Sequence, residues 1–471
     1  MKRVFVFCIG GTGIRVMKSV TMLLAAGMKT GGYQVVPIVI DPHLDFGEKK
    51  QLDSLLDMYD HIYKDVTSDG KLKDLDGFFS TCMTPIDQLH GLQNDKHVSF
   101  SEQRPFNEYL GLQNIPQGDI NNHLIDTLFT RKSLDNRLSV GFKGNPNVGT
   151  VVLSNIMKGL NDMTGITDSS VFREGDRIFI ISSIFGGTGA SGYPLVEKTI
   201  REMEASPVVR DATMGAVSVQ PYFSLKNPET TGSDIDSNSF ITKTKAALSY
   251  YQHNVRSNYF YYIGDKEMAC EYDNDEQIQD DKAHFVELVA ATALFDFLQR
   301  PDKERTEPPT FFSRAIASND AVLELSSMGS GYATMTKHIA DFTLLNMLMD
   351  VLPDEKHFPL EISRRLKSDF YDSASYGRLK QFVTYFSAWY DELANNKRAF
   401  SPFNISSHDK PLTNWIKGNT LDAKDDSYYL LQMIIKSNKA TKDESHDNRL
   451  RHFLNFTYQA IDHYTHHIEE S

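Results

Sequence analysis

Short apolar runs recur along this chain, several of them closed by glycine and followed by a segment of helical spacing. Residues 3–9 (RVFVFCI) run into Gly10-Gly11-Thr12-Gly13, and the apolar positions of 14–26 then fall on a helical period. A second strand is predicted over 35–40, ending at Asp41. The most informative stretch is 178–194, IFIISSIFGGTGASGYP: a buried-strand run, a glycine turn at 186–189, then a helix-compatible segment over 195–203. Residues 214–219 and 259–263 read as further strands, and 150–163 and 239–251 as helices. Strands alternating with helices predict a parallel, right-handed, doubly wound α/β sheet, with ligands at the carboxyl ends of the strands.

Two regions depart from that rhythm. Between 44 and 140 the sequence is polar and mixed, and reads as an elaborated, partly helical insertion. Beyond it, 283–298 (AHFVELVAATALFDFL) is apolar nearly all round, which predicts a buried central helix. The charged, proline-containing stretch 301–309 marks an expected lobe boundary. Past it, 333–352, 376–393, 428–435 and 450–464 are predicted helices of a mainly helical C-terminal lobe. The expected organisation is therefore a sheet domain over 1–282, the central helix over 283–300, and the lobe over 301–471.

Composition narrows the function classes. With 471 residues, 40% of them hydrophobic, the chain can bury a large core. A formal net charge of -13 argues against a broad nucleic-acid or anionic-membrane surface. No apolar run approaches the roughly 20 residues that span a bilayer, and the N-terminal run reads as a strand instead of a signal peptide because glycines interrupt it. Cys8, Cys82 and Cys270 show no CxxC spacing and suit a reducing compartment. A cytoplasmic protein is expected.

The candidate chemistry lies in the glycines. Gly186, Gly187 and Gly189 allow backbone N–H groups to converge on an anion at a helix start, with Thr188 adding a hydroxyl, although a purely structural turn has the same sequence. Lys18-Ser19 does not make a P-loop, because Met17 stands where the glycine before the lysine is needed. Asp41 suits a ribose hydroxyl or a metal-bound water, and equally the opening of the Asp41-Pro42 turn. Glu287, alone among apolar neighbours, fits either the N–H edge of guanine or a cap or arginine partner within the protein. His463, His466 and His467 share a helix face, but no carboxylate or thiol completes a metal set.

Four of these segments, in order, resemble the loops of the tubulin and FtsZ superfamily. FGGTGASGYP (185–194) is similar to its GGGTGSG or GGGTGTGAAP loop, and 10–13 stands at its first glycine loop. GNPNVG (144–149) resembles ANPEVG, and Gln220-Pro221-Tyr222-Phe223 its later proline-aromatic loop. The resemblance, over about 1–300, implies a Rossmann-like sheet of tubulin/FtsZ type binding GTP or GDP with Mg2+. It implies Gly10, Gly11, Thr12 and Gly13 on the α and β phosphates, and Gly186, Gly187, Thr188, Gly189 and Ala190 around the β phosphate. Gly144 and Asn145 would approach the γ phosphate, Asp41 the metal-bound phosphates, and Phe285 or Glu287 the base. The family's second acidic position is His43 here. Its hydrolytic acids are inserted into the site of the next subunit in a filament; the corresponding region here, 305–331, has Asn319, Asp320 and Glu324 without the NxDxxD spacing, and these acids suit either the orienting of a water or a solvated helix start.

The implied function is a GTP-binding protein, a GTPase when a neighbour completes the site, that self-associates head to tail into filaments. Two other classes remain open: a nucleotide-bound scaffold that contacts other proteins through the insertion and the helical lobe, and a NAD- or FAD-dependent oxidoreductase. The second would use 10–13 and Asp41, but leaves the 186–189 turn without a role.

Overall fold

The computed structural model describes residues 1–42, 47–68, 77–90, 97–98, 102–116, 118–142, 144–225, 237–265, 270–272, 282–315, 320–325, 330–352, 366, 368–403, 426–440 and 448–465. His43, Asn319, His466 and His467 lie outside them.

The strands are β1 (Lys2–Ile9), β2 (Tyr33–Ile40), β3 (His97–Val98), β4 (Arg177–Ser183), β5 (Met214–Val219), β6 (Phe223–Leu225), β7 (Tyr259–Gly264), β8 (Cys270–Tyr272), β9 (Thr310–Ala315), β10 (Val322–Leu323) and β11 (Ala399–Phe400). Seven form one parallel sheet in the order β3-β2-β1-β4-β5-β7-β9, while β6 pairs with β8 and β10 with β11. The expected α/β doubly wound architecture is present. A fully buried parallel sheet needs apolar residues on both faces, and β1 shows this: Val4, Val6 and Cys8 point into one core, Phe5, Phe7 and Ile9 into the other.

Helices cover both faces. On the first lie α1 (Gly10–Ala25), α2 (Gly47–Thr67) and the central helix (Phe285–Gln299). On the second lie Pro146–Met157, Gly187–Arg201 and Ser237–Asn254. The C-terminal part is helical, with Ala333–Val351, Ala374–Ala394, Asp426–Ala440 and Arg449–Thr465 as its long elements. Leu379, Phe382, Val383, Phe386, Trp389, Tyr390 and Leu393 of Ala374–Ala394 are all buried, as their spacing predicts. They belong to the same core as the central helix. No helix among the described residues is long and apolar enough to cross a membrane.

The lobe boundary expected at 301 precedes a strand of the sheet. β9 pairs in parallel with β7, from Tyr259↔Thr310 to Gly264↔Ala315, so the sheet extends beyond the central helix. Its alternation of half-buried and exposed residues is that of an edge strand, without the apolar run that marks an interior one.

The central helix is fastened at both ends. At its start His284 and Glu287 form a capping box. At its finish the buried Arg177 of β4 donates from Nη1 to the Phe297 carbonyl at 2.9 Å and from Nη2 to the Arg300 carbonyl at 2.8 Å. A cation there satisfies orphan carbonyls and complements the helix dipole.

One buried acid makes folding pH-dependent. Glu197, on Gly187–Arg201, is 3% exposed and accepts a hydrogen bond from the Arg256 backbone N–H at 2.5 Å. Burial pushes its carboxyl up to about 7. The folded state therefore holds a proton that the unfolded chain releases near pH 4.5, and this contribution is lost as pH rises through about 7. Glu197→Gln keeps an acceptor and removes the titration. Its stability relative to the parent is expected to rise between pH 5 and pH 8, by up to about 3 kcal/mol, in urea unfolding at both values.

Candidate functional site

In a doubly wound sheet the ligand crevice lies where the strand order reverses, outside the carboxyl ends. Here the chain moves from β1 outward to β2, and from β4 outward in the opposite direction to β5, so the crevice falls between β1 and β4. Both glycine motifs follow these two strands. Neither is a free loop: Gly10 opens α1 directly after Ile9, and Gly187 opens its helix with Gly186 as N-cap.

The third motif joins them. A Cβ built on Gly10, whose φ is +72°, would lie 3.2 Å from Thr188 Cβ and 3.5 Å from the Gly189 nitrogen. One built on Gly187 would lie 3.0 Å from the Asn145 nitrogen and 3.2 Å from the Gly144 nitrogen. Residues 10–13, 144–145 and 186–189 thus form one contiguous surface at the switch point. Gly189 is wedged under it: a Cβ there would stand 2.7 Å from the Ser183 carbonyl oxygen and 2.8 Å from its nitrogen.

Helix starts leave N–H groups unpaired and carry partial positive charge. α1 and Gly187–Arg201 both begin without a side-chain cap, and neither has an acid in its first turn. The helix Pro146–Met157 is capped by Asn145, whose Oδ1 accepts from the Asn147 N–H at 3.1 Å while its Nδ2 donates to Ser133 Oγ at 2.7 Å. Asn145 therefore shapes the surface with its side chain and can offer only backbone to a ligand. Two bare helix starts and a capped one meet at the edge. Asp41, buried at the carboxyl end of β2, and Thr12, also buried, share that edge, and Ala190 is buried within the first turn of its helix.

No family model matches the sequence, and no curated protein matches it. Among solved structures, the chain is similar to CetZ2 from Haloferax volcanii, solved as a GTPγS-bound protofilament, with 10% identity, a TM-score of 0.27, and coverage of 63% of this chain and 56% of that one.

Phe285 and Glu287 are both buried in the first turn of the central helix. Phe285 is fully buried and stacks on Phe400, with ring centroids 5.1 Å apart and planes 8° from parallel. Glu287 is also fully buried: Oε1 accepts from Arg15 Nε at 2.6 Å and from the Tyr222 hydroxyl, and Oε2 accepts from the His284 N–H at 3.0 Å. Of the two readings open for this carboxylate, the structure holds the cap and the arginine. Arg15 is the centre of the network, donating also to the Tyr222 hydroxyl at 2.9 Å and lying 3.4 Å from Glu48 Oε2. Beside it burial pushes His284 down to about 3, leaving the ring neutral, with Nδ1 accepting from the Val286 N–H.

Asp320 lies near the carboxyl edge of the sheet. β9 runs parallel to β7, so the chain leaves it at the same carboxyl edge that carries the glycines. Arg398 fixes this placement: its Nη1 donates to the Asp320 carbonyl, and its Nε lies 3.1 Å from Asp265, which directly follows β7. The residues directly after the central helix lie at the opposite, amino edge of the sheet, against Arg177 at the start of β4. Of these, Asp302 accepts from Arg177 Nη2 at 2.7 Å, and the Glu304 N–H donates to Glu307 at 2.8 Å. A cleft at this amino edge, lined by Met1, Lys29, Thr30, Tyr33 and Thr81, is remote from the glycines.

Two residues beside these motifs, Arg15 against Thr12 and Ser183 against Gly189, were not among those expected. Arg15 interrupts a buried run between Ile14 and Val16, a visible signal. Ser183 closes β4 after the apolar run 178–181 and carries no pattern of its own.

Proposed function

We propose that this chain is a tubulin-like protein that binds a guanine nucleotide at the switch point between β1 and β4 and self-associates head to tail in the cytoplasm. One observation carries the proposal: the convergence of 10–13, 144–145 and 186–189 into a single edge surface with two uncapped helix starts. Such a surface suits phosphate oxygens, because the N–H groups need acceptors and the dipoles favour negative charge. Gly10 to Gly13 and Gly186 to Ala190 supply the first-turn backbone, Thr12 and Thr188 hydroxyls, and Gly144 and Asn145 the flank. The guanine preference rests on the motif resemblance.

Among the described residues no group of three His, Cys, Asp or Glu is placed to hold a metal ion. A Mg2+ here would bind through phosphate oxygens and water, with Asp41 as an acid on the same edge, and would neutralise phosphate charge.

The departure of Asp320 and Glu324 from the NxDxxD spacing favours a second reading, a nucleotide-bound scaffold that does not turn over. Calorimetric titration of the full chain with GTP, GDP, ATP and NADH is the first test, expected to give micromolar or tighter binding of GTP and GDP alone. Absence of guanine-nucleotide binding, or saturable NADH binding, would overturn the proposal. Turnover that rises faster than linearly with protein concentration separates the filament-forming GTPase from the scaffold, whose turnover stays flat.

A further inference from the structure

Lys243 lies on the helix Ser237–Asn254, far in sequence from any glycine motif, yet its Nζ donates to the Gly144 carbonyl at 2.5 Å. Gly144 is the residue whose nitrogen approaches Gly187. The ammonium thus stands at the 144–145 turn, which itself packs against Gly187. It is partly withdrawn from water, and among the described residues no carboxylate pairs with it. Burial without an opposing charge pushes its pKa down, which is the condition a bound anion reverses. A single carbonyl satisfies one of its three donors.

A second, independent group points into the same turn. Ser183 is 5% exposed, and no partner for its hydroxyl is present among the described residues. Its Oγ lies 2.7 Å from the Cβ position of Gly189 and 2.9 Å from that of Gly186. A hydroxyl there can donate to an acceptor seated in the turn.

From these contacts we infer that Lys243 is a phosphate-binding residue: it places a full positive charge on a phosphoryl group seated in the 186–189 turn, with the Ser183 hydroxyl donating to that group from below. This assignment rests on the nucleotide reading given above, and supplies what the glycine motifs lack, since backbone dipoles alone carry only partial charge. The cation comes from a helix behind the second sheet face instead of from the helix that follows the glycines.

The test is GTP binding by calorimetry to the parent, Lys243→Met and Lys243→Arg, each first checked for a parental melting curve without nucleotide. Loss of one charge-assisted contact is expected to weaken GTP binding by about tenfold or more in Lys243→Met, whereas Lys243→Arg stays within a few fold of the parent. In the parent, GTP is expected to protect Lys243 from acetylation by an amine-reactive reagent, a readout that holds even where a variant fails to fold. Parental affinity in Lys243→Met, or unprotected Lys243 under saturating GTP, overturns the assignment while leaving nucleotide binding intact. A parent that binds no guanine nucleotide removes both.

Discussion

Replacing Arg15 by methionine is expected to destabilise the protein by about 3–5 kcal/mol, the loss typical when one member of a buried ion pair is removed and its partner stays. Methionine keeps much of the stem volume, so the effect isolates the charge. Glu287 would be left fully buried with the Tyr222 hydroxyl and the His284 N–H but no cation within 2.6 Å. Urea unfolding at neutral pH measures the loss. The double variant Arg15→Met/Glu287→Gln should recover a large part of it, because glutamine retains the capping-box acceptor without the stranded charge. A double variant no more stable than Arg15→Met alone would show that the network acts through packing.

Gly189→Ala has the second largest expected effect, and falls on binding more than on folding. The added methyl would stand 2.7 Å from the Ser183 carbonyl oxygen and 2.8 Å from its nitrogen, both backbone atoms of a central strand that cannot yield. The turn must move instead. Overpacking of this kind costs about 1–3 kcal/mol of stability. If the turn holds phosphate as proposed, displacing two of its N–H donors is expected to lower guanine-nucleotide affinity by roughly hundredfold. Gly377→Ala is the control: nothing lies within 4 Å of its Cβ position, inside the helix Ala374–Ala394. It should leave binding unchanged and raise stability by up to about 1 kcal/mol. Undiminished affinity in Gly189→Ala would separate the glycine turn from phosphate.

Much of the sheet was legible because parallel strands need apolar residues on both faces, and uninterrupted runs such as 178–181 have few other uses. The central helix was legible for the same reason. β9 was not: TFFSRA alternates and is largely exposed, so its sequence resembles a loop, and the lobe boundary was set at 301, before the sheet had ended. The glycine motifs were read as loops before helices, whereas the helices begin within them, a distinction set by backbone torsions that composition does not carry. Their order along the chain gave the candidate site. Their meeting, like the arrival of Lys243 from Ser237–Asn254, depends on tertiary packing between segments distant in sequence, and no local pattern encodes it.

The fastening of the central helix at both ends has a mechanical consequence. Its first turn is tied through Glu287 to α1, and its last through the Phe297 and Arg300 carbonyls to β4. A rod pinned at one end to α1 and at the other to the sheet cannot slide without breaking an anchor. Displacement of the helix is therefore coupled to displacement of both. The C-terminal helices share its core and are coupled to the same two anchors.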